Sequence, residues 1–266
     1  MKGRRMRTFD TPGPVAVKVV LDTGRVRVVA TERSASTVAV MPAGTSSSAV
    51  AAAEQTTVEH AAGTLTVKAP HRMFLRPGGG IDVHLEVPAG SSLEVQTVRA
   101  DIRTEGRMGD CRFGTVSGPI QLDHVGALHV STSGSDVIAG RVDGMVEVAG
   151  ATASVRLQEC AADVEVATAN GGITVVRAAG SVSAKTANGS IRVAELSRGK
   201  ANLSTARGSI EVGIAAGTAA HIDAHSTLGS VHNMLEVRPG PEGFAERVRV
   251  VARTWYGQIT IQRAMP

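Results

Sequence analysis

The chain has 266 residues, 42% hydrophobic and 20% charged, a balance that excludes intrinsic disorder and fits one or two folded domains. Aromatics make up only 2%, which excludes a core built on Phe, Tyr and Trp and suits a narrow interior packed between strands. The formal charge of +4 is dispersed, so nucleic acid is not expected as a partner.

In chain order, "MKGRRMR" is the one compact basic run, and residues 1–8 read as a solvated basic tail. "TFDTPGPVAV" follows where an export signal would carry an apolar run and a cleavage site. No stretch reaches the ~20 apolar residues of a membrane span. The two cysteines, Cys111 and Cys160, have no metal-like spacing and are too few to staple the chain. The expectation is a cytoplasmic protein whose residues 9–266 form one domain.

Residues 9–92 read as irregular coils with loops. Val17, Val19 and Leu21 lead into "DTG", with Val26 and Val28 beyond it; "GTLTV" and "GIDVHLEV" alternate in the same way. Residues 43–53 and "APHRMFLRPGGG" read as loops, with one or two helical turns over 47–54.

Residues 93–233 repeat. "TANGGITV" at 168–175 returns as "TANGSIRV" at 186–193, eighteen residues later. Aligned on the residue that opens this turn, one column reads Thr97, Thr115, Thr132, Gly150, Thr168, Thr186, Thr205, Ser226 and Thr254. Two positions earlier stand Val95, Phe113, Val130, Val148, Val166, Ala184, Leu203, Ala224 and Ala252. Five positions later stand Ile102, Ile120, Val137, Val155, Ile173, Ile191, Ile210, Val231 and Ile259. Inside each repeat, apolar residues alternate with polar ones, the mark of half-buried strands. Asn and Gly in the turn tolerate positive φ. A strand pair this short buries its inner face only against stacked neighbours. The pattern therefore predicts an all-β, single-chain β-solenoid with coils of roughly eighteen residues, the Thr column forming an internal ladder.

Four sets of residues merit attention as sites. His221, Asp223 and His225 share a strand face, with His232 across the next turn, and two imidazoles with a carboxylate are ligands that suit zinc. Ile222 and Ala224 take the inner columns, so these polar groups should face solvent, and no metal or other cofactor is expected. Glu147 and Glu165 are the acidic neighbours in the outward column, where a carbohydrate-cleaving β-helix would gather carboxylates. Gly114, Ser131, Ala149 and Ala167 form a smooth outward column suited to an interaction face. Residues 234–266 read as an excursion and a capping coil, with Phe244, Trp255 and Tyr256 closing the open end. Cys111 and Cys160 fall in apolar columns as small core residues.

The columns, the "TANGSI" turns and the closing "TWYGQITIQRA" resemble the bacterial putative-adhesin domain family of β-strand-repeat proteins, also called toastrack domains. The resemblance implies a β-solenoid serving as a binding or assembly module, joined in some relatives to membrane segments and linked to envelope-stress signalling. It implies no catalytic motif. The functional expectation is a non-catalytic scaffold or interaction module binding another protein or itself. The alternatives are an enzyme acting on a carbohydrate or peptide from an outer face, and a membrane-surface or nucleic-acid adaptor using the basic N-terminus.

Overall fold

The structure, a computed structural model, describes residues 5–70, 79–236 and 246–264. The chain folds as two compact units, Met1–Ser135 and Asp136–Pro266, where the sequence led us to expect one. The division falls inside the run of regular repeats. Both units are built of β-solenoid coils.

The first unit contains β1 (Arg5–Asp10), β2 (Ala16–Thr31), β3 (Ala35–Pro42), α1 (Ser47–Gln55), β4 (Thr57–Ala61) and β5 (Thr64–Lys68). It continues with β6 (Ile81–Pro88), β7 (Ser92–Arg107), β8 (Cys111–Ser117), β9 (Ile120–Val125) and β10 (Leu128–Gly134). Each sixteen-residue strand, β2 and β7, runs through the corner as a whole coil. β2 lies parallel between β7 on one side and β5 with β6 on the other, so the first coil in sequence is second in the stack. β7 then pairs with β8 and β9, and β8 with β10. Within this unit Thr97, Thr115 and Thr132 stand in one register.

Antiparallel strands finish the stack: β4 pairs with β5, β3 with β6, and β1 with β3. Residues 5–8, expected in a basic tail, are thus part of a strand; Arg7 Nη1 donates to the Val58 carbonyl at 2.6 Å. The helical turns expected in the Ala-rich stretch form α1, whose Ser46 N-cap accepts from the Ala49 amide at 3.2 Å. Ala49, Ala52 and Ala53 face inward, and the helix packs on β3 and β6. Most of "APHRMFLRPGGG" lies outside the described residues.

The second unit contains β11 (Val137–Val142), β12 (Val146–Thr152), β13 (Val155–Cys160), β14 (Val164–Asn170), β15 (Ile173–Ala178), β16 (Val182–Asn188) and β17 (Ile191–Leu196). β18 (Gly199–Arg207), β19 (Ile210–Ile214), β20 (Thr218–Leu228), β21 (Val231–Asn233), β22 (Glu246–Tyr256) and β23 (Ile259–Arg263) follow. β12, β14, β16 and β18 form one parallel ladder; β11, β13, β15, β17 and β19 form another. Inner positions are filled by fully buried Val, Leu and Ile, among them Val155, Leu157, Ile173, Val175, Ile191 and Val193. Outside, Arg141, Glu159 and Arg177 alternate in charge up one column, each Arg paired with Glu159. Such exposed pairs favour the register but add little stability, about 0–1 kcal/mol each.

At the end of this unit too, the stack departs from chain order. β22 pairs with β18 on one side and β20 on the other, and β23 lies between β19 and β21. The last coil in sequence is therefore inserted, and the coil of β20 and β21 ends the stack. Trp255 and Tyr256 do not cap an open end, because their strand has a neighbour on both sides. Phe244, expected beside them, lies outside the described residues.

Candidate functional site

The Thr ladder fixes the geometry of the second unit's outer surface. Thr168, Thr186, Thr205 and Thr254 are successive partners across the strands, with Ser226 beyond Thr254. Each hydroxyl from Thr186 onward ties its coil to the one beneath. Thr186 donates to the Gly171 carbonyl at 3.2 Å, Thr205 to Gly189 at 2.9 Å, Thr254 to Gly208 at 3.1 Å and Ser226 to Gly257 at 2.8 Å. The glycines are required because the turns stack tightly. A Cβ on Gly189 would lie 2.1 Å from the Gly171 carbonyl oxygen, and Gly189 has φ +156. The neighbouring asparagines do not take positive φ; Asn188 Nδ2 instead donates to Asn170 Oδ1 at 2.9 Å, making a ladder of their own.

With the Thr side chains turned inward, the residues on either side of them point outward at the bend between the two strand ladders. One flank carries Ala149, Ala167, Lys185, Ser204, Arg253 and His225; the other carries Ala169, Ala187, Ala206, Trp255 and Thr227. Together they line an open groove of about 750 Å³ on the second unit. Most of its length is methyl groups. Trp255, 56% exposed, rises near one end beside Arg253, with His225 and Thr227 of the last coil beyond it. Two residues proposed from the sequence as an interaction face, Ala149 and Ala167, are in this groove and in register. The other two, Ser131 and Gly114, are partners in the first unit, Ser131 exposed and Gly114 half-buried.

Sequence reasoning missed Lys185, Ser204, Arg253 and Trp255 as groove residues. The signal was present, since they continue the same flanking columns, but the bend that makes these columns face one another is a property of the coil.

The His–Asp cluster is on β20, with His221, Asp223 and His225 exposed as expected. Arginines from the adjacent strand stand beside it: Arg249 opposite His221 and Arg253 opposite His225. Arg253 Nη2 donates to Asp223 Oδ2 at 2.6 Å and holds that carboxyl below the usual aspartate range, with Arg249 and His221 adding to the effect. Among the described residues, no three His, Cys, Asp or Glu side chains converge as a metal centre would need. His232 hydrogen-bonds Ser230 at 2.9 Å, on β21. Glu147 and Glu165 are neighbours in register on β12 and β14. Cys111 and Cys160 are free, buried thiols, each pushed up to about 12 by burial, with Asp110 adding to the shift at Cys111. No described helix is long and apolar enough to cross a membrane.

The family model described as Toastrack DUF4097 matches residues 17–247, most of both units. The chain belongs to the Toastrack family. A putative adhesin from Parabacteroides merdae superposes on this Toastrack chain with a TM-score of 0.53 at 9% identity, covering 99% of this chain and 97% of its own, which shows a shared fold. A putative adhesin from Bacteroides fragilis gives a TM-score of 0.43 at 11% identity, covering 98% of each chain. A putative lipid binding protein from Parabacteroides distasonis gives 0.38 at 11% identity, covering 99% of this chain and 98% of its own. None of the curated proteins matches this chain.

Proposed function

We propose that this Toastrack protein is a non-catalytic interaction module that binds a protein partner along the groove of its second unit. The observation that carries the reading is the groove itself, a trough rich in alanine methyls with a half-exposed tryptophan beside an arginine near one end. Alanine side chains lose no rotamer entropy when covered, so a partner backbone approaches closely at little cost. Trp and Arg are the side chains that most often concentrate binding energy at protein interfaces. Lys185 adds positive charge on one flank, where Arg253 is already paired with Asp223, and this favours a partner segment carrying a carboxylate. The description of solved relatives as putative adhesins agrees with a binding role.

The test compares partner recovery by the wild-type protein, Trp255→Ala, the Ala149→Arg/Ala167→Arg pair, and Ile138→Arg, an exposed position outside the groove. The expected result is a loss of about tenfold or more in affinity for both groove variants, with Ile138→Arg binding like wild type. Circular dichroism checks that all four are folded. Equal recovery by wild type and both groove variants would place binding elsewhere.

A further inference from the structure

The coil of β20 and β21 ends the second unit's stack, and among the described residues β20 pairs as a strand with β22 alone. Outward-pointing N–H and C=O groups along such a free edge template the addition of another strand. Proteins ordinarily blunt these edges with lysine, proline, a bulge or a very short strand. β20 has none of them. Its eleven residues, "TAAHIDAHSTL", include no Lys, Arg or Pro, and its register with β22 is unbroken over 218–226. Ile222 and Ala224 occupy inner columns yet are only half-buried, and Leu228 and Val231 are 55% and 42% exposed.

We propose that β20 pairs antiparallel with β20 of a second copy of this chain, in the register that sets Ile222 opposite its own counterpart. Two features of the strand select this occupant and this register. On the inner face, Ile222 meets Ile222 and Ala220 meets Ala224, so apolar groups meet apolar groups. On the outer face, His221 meets Asp223 twice, once on each side of the two-fold axis, placing an imidazole N–H against a carboxylate. Arg253 already donates to one oxygen of Asp223, and a carboxylate accepts several hydrogen bonds. Centring the pair on Asp223 would oppose aspartate to aspartate, which is unfavourable. Centring it on Ala224 would set Ile222 against Ser226 and lose the apolar match.

The pairing closes as a dimer. The contact is isologous, each copy's β20 edge being taken up by the other's, so no second β20 edge is left for growth. The dimer uses the free edge of β20, whose His225 and Thr227 also line the end of the groove, but it requires no partner in the groove and stands independently of the proposed function.

The test is light scattering on the full chain over a wide concentration range, with Ile222→Lys alongside. That variant opposes lysine to lysine in the dimer, while in the monomer its half-exposed position lets the ammonium reach water. The expected result is twice the chain mass for wild type at high concentration. Ile222→Lys should keep its circular dichroism spectrum and dimerise at least about tenfold more weakly. Wild type at single-chain mass throughout would overturn the proposal, as would Ile222→Lys dimerising equally well. The register is read separately by mild oxidation, against a background in which Cys111 and Cys160 are buried. Ile222→Cys sits at the two-fold axis and should cross-link to itself at least about tenfold faster than Ala224→Cys, whose counterpart is Ala220. Equal or reversed rates would overturn the register.

Discussion

At the end of the first unit's stack, β5 and β6 lie beneath β4 and β3, with β1 beyond β3 and α1 across β3 and β6. At the end of the second unit's stack, no described strand covers β20. The same column shows what this does to a side chain. Ile210 and Ile259, five residues after their anchors, are 0% exposed, while Val231 in that column is 42% exposed. Burial in this fold is conferred by the neighbouring coil and not by the residue's own strand. An apolar inner face is therefore only half of a core until another layer arrives. In the first unit the layer comes from the chain itself, through Val38 and Val40 of β3 and the three inward alanines of α1.

The covered end should be the costlier of the two to disturb. Val40→Asp puts a charge at a site 2% exposed, and an unpaired buried carboxylate costs about 3–5 kcal/mol. Ile222→Asp, in an equally apolar inner column but at the bare end, should cost less than about 1 kcal/mol because water reaches it. Both are measured by urea unfolding at low protein concentration. Similar costs at the two positions would mean that the second end is covered in solution. Amide exchange refines the same contrast: β20 should exchange well before β16, which has a coil on each side.

Away from the ends, the two units should behave alike. Cys111 in the first and Cys160 in the second are 2% and 3% exposed, each with its thiol raised to about 12. The unfolded thiol loses its proton near pH 8.5, roughly, while the folded one keeps it to far higher pH. The stabilisation from neutral thiols is thus complete below about pH 8.5 and is lost as pH rises toward 12, at about 1.4 kcal/mol per pH unit for each thiol. Cys111→Ala and Cys160→Ala should each flatten the alkaline limb of the stability profile by that slope. An unchanged limb in either variant would mean that its coil is open to water.

The repeat and its register were legible in the sequence because period-two alternation and an eighteen-residue interval mark the same columns in every coil. Those columns are also why the stack order was not legible. The coil of Thr254 fits on that of Thr205 as well as the coil of Ser226 does, so the sequence permits either order. One sign of the true end was present: Asn233 stands in register with Ile261, which in turn faces Val212, so a polar residue fills an inner column. An interior coil would bury it, whereas an end coil leaves it exposed. The division into two units left no trace, since the columns run through residue 135. The groove was half legible. Ala149 and Ala167 declare a smooth outward column and Trp255 continues a flanking one, but the inserted order that sets its coil directly on that of Thr205 was not legible.

A single hydrogen bond, made in an interior coil and again in the end coil, separates the two most finely. Thr205 donates to the Gly189 carbonyl at 2.9 Å from a position 4% exposed, and Gly208 stacks directly over that carbonyl, leaving no room for water. Thr205→Val keeps the side-chain volume and deprives the carbonyl of this donor, at a cost of about 1–2 kcal/mol. Ser226 makes the equivalent bond to Gly257 at 2.8 Å, but from the half-exposed end coil, where water replaces a missing hydroxyl. Ser226→Ala should therefore cost no more than about 0.5 kcal/mol. Urea midpoints of the two variants against wild type decide it. A Ser226→Ala loss as large as that of Thr205→Val would show the end coil to be as dry as the interior, and the contrast between the two stack ends would fail with it.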